Sequence, residues 1–207
     1  MSASASKRYT LVAITLHWVI AAAILTQIAT GLWMGDAIRD PAWRNTAFEA
    51  FQLHKSLGLT VLGLSVARLA WRLLHPPPPM PAGIRPWERT LAHLVHGAFY
   101  VLMIGMPLSG WLFASTGWSH SLQQYLSVET VWFGFLPVPH VAFIAEQDAA
   151  SRKLLGEQLI ALHEVLAFTT LGLLALHVGA VIKHYFEDGG AELSRMAPLG
   201  GSPKEPR

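Results

Sequence analysis

Long stretches without charge constrain this sequence more than any other feature. Residues 9–35, 90–128 and 165–182 contain no Asp, Glu, Lys or Arg, and residues 56–74 are apolar apart from two arginines. A helix needs about 20 mainly apolar residues to cross a lipid bilayer. The sequence therefore predicts four membrane spans. They lie at about 11–34, 53–74, 90–114 and 160–183.

Basic residues concentrate on one side of these spans. They precede the first span, flank the connection between the second and third, and follow the fourth, whereas the other two connections mix both signs. These basic residues are Lys7, Arg8, Arg68, Arg72, Arg85, Arg89, Lys183, Arg195, Lys204 and Arg207. Because cytoplasmic loops carry the excess of Lys and Arg, we expect an all-α transmembrane four-helix bundle with both termini cytoplasmic. The proline-rich segment 75–81 then forms a stiff link on the cytoplasmic side.

The connection 115–158 is the longest between two spans. Its apolar part, 131–145, is short for a span and is interrupted by Pro137 and Pro139. We therefore expect an interfacial or re-entrant cap over the outer end of the bundle instead of a fifth span. The cap has aromatic residues suited to the membrane interface. They are Trp132, Phe133, Phe135 and Phe143.

Composition excludes several classes of protein. Charged residues make up 14% of the chain, against about 25% in a soluble domain. A net charge of +2 gives no reason to expect nucleic acid as a partner. The chain has no cysteine, which excludes disulfides, cysteine-ligated iron–sulfur clusters and covalent haem attachment. Ten histidines remain as the main candidate ligands.

The histidines within the spans fall into pairs by depth. His54 and His163 are expected near the outer face, and His17 and His177 toward the inner face. His163 and His177 are 14 residues apart, so they share one helix face and are separated by about 21 Å along the axis. Two metal centres stacked across a bilayer need a separation of this size. Bis-histidine haem b fits this arrangement, since imidazole alone can hold haem iron.

Two other interpretations of these histidines stay open from the residues alone. A buried histidine is often a hydrogen-bonded core residue, and a metal-ion transporter also uses histidines inside the membrane. Glu164 is the only carboxylate next to one of the four positions. Because divalent-cation sites usually include oxygen ligands, the transporter interpretation is weaker.

Several blocks of sequence stand in a characteristic order and spacing. They are Leu16-His17-Trp18, Leu53-His54-Lys55-Ser56-Leu57-Gly58, Arg68-Leu69-Ala70-Trp71-Arg72, Ala92-His93-Leu94-Val95-His96, Met106-Pro107-Leu108-Ser109-Gly110-Trp111, Leu162-His163-Glu164-Val165-Leu166-Ala167, Lys183-His184-Tyr185-Phe186 and Leu193-Ser194-Arg195-Met196. Together they resemble the bacterial cytochrome b561 family of small di-haem b proteins in the inner membrane. The resemblance covers residues 8–198 as one domain and leaves 1–7 and 199–207 as flexible tails.

The resemblance implies two haem b groups, the inner one on His17 and His177 and the outer one on His54 and His163. It also implies a reaction, because an analogous family member takes electrons from periplasmic superoxide and delivers them to ubiquinone. Lys55 is then expected to attract the superoxide anion toward the outer haem.

The same resemblance places His96 and His184 at a quinone site near the inner haem. Quinone reduction takes up protons, and histidine titrates near neutral pH. Arg68 is expected to pair with the propionates of the inner haem, although Arg68 and Arg72 also suit contacts with lipid phosphates.

An alternative function is a haem b anchor and electron conduit of a larger complex, such as a hydrogenase or formate dehydrogenase. The connection 115–158 would then dock a partner redox protein. The partners expected are membrane lipid, quinone and superoxide or another small electron donor. Four histidines receive no role from the sequence. They are His75, His93, His120 and His140.

Overall fold

Four long helices make up most of the chain. The structure is a computed structural model that describes residues 8–80, 84–126, 128–188 and 190–198. Its elements are α1 Leu11–Ala37, α2 Arg44–Leu74, α3 Pro86–Ser115, β1 Trp118–Ser119, β2 Gln124–Tyr125, β3 Thr130–Trp132, β4 Leu136–Val138, α4 Ala142–Ala145, α5 Ala149–Asp188 and α6 Ala191–Met196. Helices α1, α2, α3 and α5 are each long and apolar enough to cross a membrane, which matches the predicted number of spans. The tails 1–7 and 199–207, and Pro81 of the proline-rich link, lie outside the described residues.

Helix α5 begins well before its predicted membrane span. The sequence predicts that the span begins at about 160, because hydropathy detects only the length of a helix that lies within the bilayer. The helix itself begins at Ala149. The carboxylate of Asp148 accepts hydrogen bonds from the Ser151 N–H at 3.0 Å and the Ser151 hydroxyl at 2.6 Å. These bonds satisfy the first turn and hold the pKa of Asp148 below its usual value.

The four long helices do not all pack closely against one another. Helix α2 packs against α1 and α3, and α5 packs along α3, whereas close backbone approaches of α5 to α1 and α2 are few. Many of the buried side chains are small and polar, and many large apolar side chains point outward. Such a distribution is typical of helices embedded in lipid, where small residues allow close packing. A gap between backbones therefore runs between α5 and the pair α1–α2.

Both ends of the described chain lie at the same end of the bundle. The indole N–H of Trp18 donates to the Met196 carbonyl at 2.7 Å, and an Arg8 guanidinium N–H donates to the Ala197 carbonyl at 2.8 Å. We call this end the inner end and the opposite end the outer end. That the inner end faces the cytoplasm stays a prediction from the distribution of charge.

A cap formed by residues 116–148 covers the outer end. It contains two short β-hairpins, β1–β2 and β3–β4, which the sequence does not predict, while the fold as a whole is mostly helical. The β3–β4 turn contains Phe133 and Gly134 with positive φ angles of 46° and 80°. The Trp132 indole N–H donates to Thr60 of α2 at 3.0 Å. Since Thr60 lies six residues beyond His54 toward the inner end, this hairpin reaches down along a membrane helix.

Candidate functional site

Each of the four long helices contributes one polar side chain to each of two levels of the bundle. The outer level contains Thr30, His54, Ser109 and His163, and the inner level contains His17, Arg68, His96 and His177. On every helix the two residues are 13 or 14 positions apart. The two residues are about 20 Å apart along each helix axis. Fourteen residues are close to four turns, so α2 and α5 present both residues on nearly one face, whereas thirteen residues are about 3.6 turns, so the two residues on α1 and on α3 leave the helix in different directions.

The outer level is built around two imidazoles that face each other. The ring centres of His54 and His163 are 6.3 Å apart. Thr30 lies 3.1 Å from Nδ1 of His54, and Ser109 lies 2.9 Å from Nδ1 of His163. Each histidine therefore has one ring nitrogen held by a hydroxyl group on a neighbouring helix.

Those hydroxyl groups fix which histidine nitrogen carries the proton. The Ser109 hydroxyl donates its only hydrogen to the Met106 carbonyl at 2.7 Å, and the Thr30 hydroxyl donates to the Thr26 carbonyl at 2.8 Å. Each hydroxyl oxygen must then accept from Nδ1–H of its histidine. Both neutral rings consequently keep a free lone pair on Nε2, which is the form that binds a metal.

Glycine allows the two outer imidazoles to lie against neighbouring backbones. A β-carbon on Gly110 would lie 3.1 Å from Cε1 of His163, and one on Gly31 would lie 3.4 Å from Cε1 of His54. The first distance is tighter than ordinary van der Waals contact. A larger residue at Gly110 would therefore displace the imidazole.

The inner level has the same ring separation but a different set of neighbours. The ring centres of His17 and His177 are also 6.3 Å apart, and His96 lies 5.9 Å from His177. The Arg68 guanidinium is 3.1 Å from Nδ1 of His17. Three histidines and an arginine thus converge at this level.

Arg68 fixes the opposite tautomer on His17. A guanidinium has only donors, so Nδ1 of His17 must accept and the neutral ring carries its proton on Nε2. For Nε2 of His17 to bind a metal, Nδ1 must take the proton and the guanidinium must turn to another acceptor. Arg68 is therefore a cation within direct reach of the inner pair of rings.

The structure places the two residues predicted for a quinone site at different depths. His96 touches the inner ring pair. His184 lies two turns beyond His177 on α5, where its Nδ1 is 3.9 Å from the Glu187 carboxylate. Lys183, beside it, forms an ion pair with Glu88 of α3 at 2.9 Å. The predicted site would therefore extend from the inner ring pair toward the inner end of the bundle.

Lys55 lies at the junction of α2 and the outer cap. Its amine donates to the Glu129 carbonyl at 3.1 Å. His140 of the cap lies close enough to both residues to feel their charges. Burial and the Lys55 cation lower the pKa of His140 below its ordinary value of 6.5, while the Glu129 carboxylate opposes this shift.

Sequence reasoning assigned no role to Thr30 or Ser109. Ser109 stands in one of the sequence blocks that carry the family resemblance, and Thr30 lies 13 residues after His17. Spacing gives no signal for either residue, because 13 positions are about 3.6 helical turns and do not return to the face of the histidine.

The ring separation tests whether a haem iron fits between each pair of imidazoles. Two metal–nitrogen bonds of about 2 Å each, with about 1 Å from each nitrogen to its ring centre, separate the ring centres by about 6 Å. Both observed values are 6.3 Å. The imidazoles also meet between α5 and the pair α1–α2, where close backbone approaches are few. The residues therefore fit haem, directly at the outer level and after a proton shift on His17 at the inner level.

Comparisons with known proteins place the chain in one family. A family model described as prokaryotic cytochrome b561 matches residues 8–198. "Cytochrome b561 homolog 2" of Escherichia coli strain K12 is 31% identical over 191 residues, which cover 92% of this chain and 91% of that protein. "Probable superoxide oxidase CybB" of Yersinia pestis is 28% identical over 193 residues, covering 93% and 97%. The chain therefore belongs to the prokaryotic cytochrome b561 family, whose members are haem b proteins of membrane electron transfer.

Proposed function

We propose that this multi-pass membrane protein holds two haem b groups and passes electrons from superoxide at its outer end to ubiquinone at its inner end. The observation that carries the proposal is that four imidazoles form two pairs, each with ring centres 6.3 Å apart. His54 and His163 hold the outer haem, and His17 and His177 hold the inner one. We place the protein in the bacterial inner membrane, with the inner end in the cytoplasm.

Bound haem b supplies a one-electron iron couple at each level. The protein sets the distance between the two couples, because each helix spans from one level to the other. Thr30 and Ser109 keep the outer histidines in the ligating tautomer. At the inner level Arg68 provides the cation for the propionates, which frees Nδ1 of His17.

At the outer end Lys55 favours an anionic electron donor. A positive charge near the donor site attracts superoxide and raises its rate of encounter. Oxidation of superoxide releases dioxygen and one electron and requires no proton. The outer level, whose two hydroxyl groups do not titrate, suits a step of that kind.

At the inner end His96 and His184 bind and protonate the quinone. Reduction of one ubiquinone to ubiquinol takes two electrons and two protons, so two superoxide anions are consumed for each quinol. A proton donor must lie within hydrogen-bond reach of the reacting oxygen. His96 contacts the pair of imidazoles at the inner level, so it is placed to donate a proton to a quinone bound there. His184 lies between that level and the inner end of the bundle.

The experiment that tests this function uses the purified protein with superoxide as the only reductant. We expect superoxide to reduce the haem iron, which is followed by the haem absorption spectrum. One ubiquinol should form for every two superoxide anions consumed. Lys55→Gln should lower the rate with superoxide about tenfold at low ionic strength, with the difference disappearing at high salt. The matched control is Lys153→Gln, which removes a cation that lies over Trp118 in the cap. Haem that stays oxidised under superoxide would refute the proposal.

A second function is favoured by one observation. Phe133 and Phe135 are 45% and 68% exposed at the tip of the β3–β4 hairpin, and exposed aromatic residues often mark a docking surface. The protein would then be the electron conduit of a larger complex. Co-purification of a redox partner, together with haem that superoxide does not reduce, would favour this function over the first.

A further inference from the structure

Helix α5 supplies one histidine to each level, yet α3 is the one long helix that packs closely along it. Close backbone approaches of α5 to α1 and α2 are few, although those helices provide the partner histidines, His17 and His54. A helix supported along one side can still slide and turn. The ring separation of 6.3 Å at the outer level therefore depends on a further contact that sets the height and rotation of α5.

The β1–β2 hairpin makes such a contact with the part of α5 that precedes the predicted membrane span. A β-carbon at Gly156 would lie 2.9 Å from Cβ of Trp118 and 3.2 Å from the hydroxyl oxygen of Thr116. Trp118 is buried, with 7% of its surface exposed. Because only glycine fits where the hairpin and the helix meet, this contact fixes the height of α5 relative to the hairpin.

The next residue of α5 binds the same hairpin through its carboxylate. Oε1 of Glu157 accepts a hydrogen bond from the Trp118 indole N–H at 2.6 Å, and Oε2 lies 2.6 Å from Nδ1 of His120. An ionised carboxylate has only acceptors, so both neighbours donate to it. Since each oxygen has its own partner, the rotation of α5 relative to the hairpin is fixed as well. We call Trp118, His120, Gly156 and Glu157 the α5 clamp.

The α5 clamp lies close to the outer level along the same helix. Gly156 and His163 are seven residues apart, which is close to two turns, so they share one face of α5 and are about 10 Å apart along its axis. A functional side chain has to be held within about 0.5 Å of its working position. Because α3 packs along the rest of α5, a displacement at the clamp falls mainly on the nearer level.

We propose that the α5 clamp sets the height and rotation of α5 that bring His163 opposite His54. Trp118 and Glu157 are then positioning residues for the outer pair of imidazoles, and they act through the helix without touching the ligands. This role rests on the proposed function, because it requires haem at the outer level.

The test compares two variants of the full chain with its haem. Gly156→Ala pushes Trp118 away from the helix, and Glu157→Leu removes both acceptors. We expect each to weaken haem retention at the outer level about tenfold and to leave retention at the inner level unchanged. Transfer of haem to apomyoglobin measures retention, and the spectra of His163→Ala and His177→Ala identify the two haems.

A spectroscopic readout tells positioning from general stability. The outer imidazole planes meet at 65°, and the electron paramagnetic resonance signal of a ferric bis-imidazole haem depends on that angle. We expect the signal of the outer haem to shift in Gly156→Ala and Glu157→Leu at a temperature where both are fully folded. The signal of the inner haem should stay as it is in the parent.

Two further variants are the matched controls. A β-carbon at Gly172, on the same helix, would meet no neighbouring atom within 4 Å, so Gly172→Ala should behave as the parent does. Glutamine keeps an oxygen that can accept from Trp118 and an amide that can reach His120. Glu157→Gln should therefore retain more outer haem than Glu157→Leu.

The remaining outcomes tell a failure of the clamp from a failure of the proposed function. A parent protein that binds no haem would refute the proposed function and the clamp together. Two haems in the parent, with an unchanged outer haem in both clamp variants, would refute the clamp alone. Equal loss at both levels would show that these residues stabilise the whole fold and do not position His163. Because Gly156 and Glu157 are tested separately, failure of one variant to fold still leaves the other.

Discussion

The outer and inner levels of the bundle share one geometry and differ in chemistry. Both bring two imidazoles to a ring separation of 6.3 Å. At the outer level the other two helices supply the hydroxyl groups of Thr30 and Ser109. At the inner level the corresponding positions are Arg68 and His96. The outer level is therefore neutral and fixed in one tautomer, whereas the inner level contains a permanent cation and a third imidazole that can exchange protons.

This difference suits the two halves of the proposed reaction. Electron transfer from superoxide involves no proton, so a site without a titrating neighbour is sufficient. Ubiquinone needs protons together with electrons, so the level with His96, an imidazole outside the proposed ligand pairs, is the appropriate place for it. The same ring separation thus suits two tasks because the side chains beside the two imidazoles differ between the levels.

The largest expected effect comes from removing a histidine that belongs to only one level. His163→Ala should reduce the haem-to-protein ratio from about two to about one by emptying the outer level, and His177→Ala should do the same at the inner level. The ratio is measured by quantitative haem extraction, and reduced spectra should differ between the variants because a different haem remains in each. His93→Ala, at an exposed position of α3, is the control. A ratio that stays near two in either variant would show that the replaced histidine is not needed to hold haem at its level.

The next effect separates the third histidine from the ligands. His96→Gln should keep both haems but lower the rate of quinone reduction about 10²- to 10⁴-fold, since general acid catalysis contributes this much. The measurement is ubiquinol formation with chemically reduced protein, together with its pH profile. His93→Gln again serves as the control, three residues earlier on the same helix. Loss of the inner haem would instead make His96 a ligand, and unchanged turnover would remove it from the quinone site.

A smaller effect tests the hydroxyl groups of the outer level. Ser109→Ala and Thr30→Val should each weaken haem retention at the outer level about 10- to 100-fold, because groups that orient a ligating histidine have effects of this size. Transfer of haem to apomyoglobin measures the retention. Thr26→Val removes a hydroxyl one turn away on α1 that donates to the Ala22 carbonyl, and it should retain haem normally. Equal retention in all three variants would show that the tautomer is not held by these groups.

The smallest effect concerns protons at the outer end. Burial and Lys55 lower the pKa of His140, so the folded protein binds fewer protons there than the unfolded chain. This contribution to stability is present above the unfolded value of 6.5 and is lost as the pH falls from that value toward the folded pKa. His140→Gln should reduce the fall in Tm between pH 8 and pH 5 by a few degrees at most. An unchanged slope would mean that His140 makes no contribution to the pH dependence of stability.

The four membrane-capable helices and the two depths of the histidines were predictable because they follow from local features of the sequence. Uncharged runs mark the spans, and a separation of 14 residues puts His163 and His177 on one face. Thr30 and Ser109 were not predictable, because a hydroxyl inside a membrane helix usually bonds to its own backbone, as Thr26 does. Whether it also meets a histidine depends on how neighbouring helices are rotated about their axes, which no single helix encodes.

The cap was predictable only in outline. Proline and insufficient length argue against a fifth span, but neither predicts the β3–β4 hairpin. Its turn places Phe133, which is not a glycine, at a φ of 46°, so local preference gives little warning. Hydrogen bonds from the Trp132 indole to Thr60 and from the Phe133 N–H to Ser56 stabilise this conformation. These contacts join residues more than 70 positions apart, beyond the reach of any local pattern.

Helix α5 supplies one histidine to each level, and this fact constrains how the protein is made. During synthesis α1, α2 and α3 enter the membrane first, and at that stage His54 and His17 have no partner imidazole from α5. Insertion of the last helix then completes both pairs in one event. In the proposed function, stable capture of both haem groups would therefore follow the final step of membrane insertion, and a chain truncated before α5 would expose two half-built sites at once. Biogenesis of such a di-haem protein would thus couple full cofactor loading to a complete polypeptide.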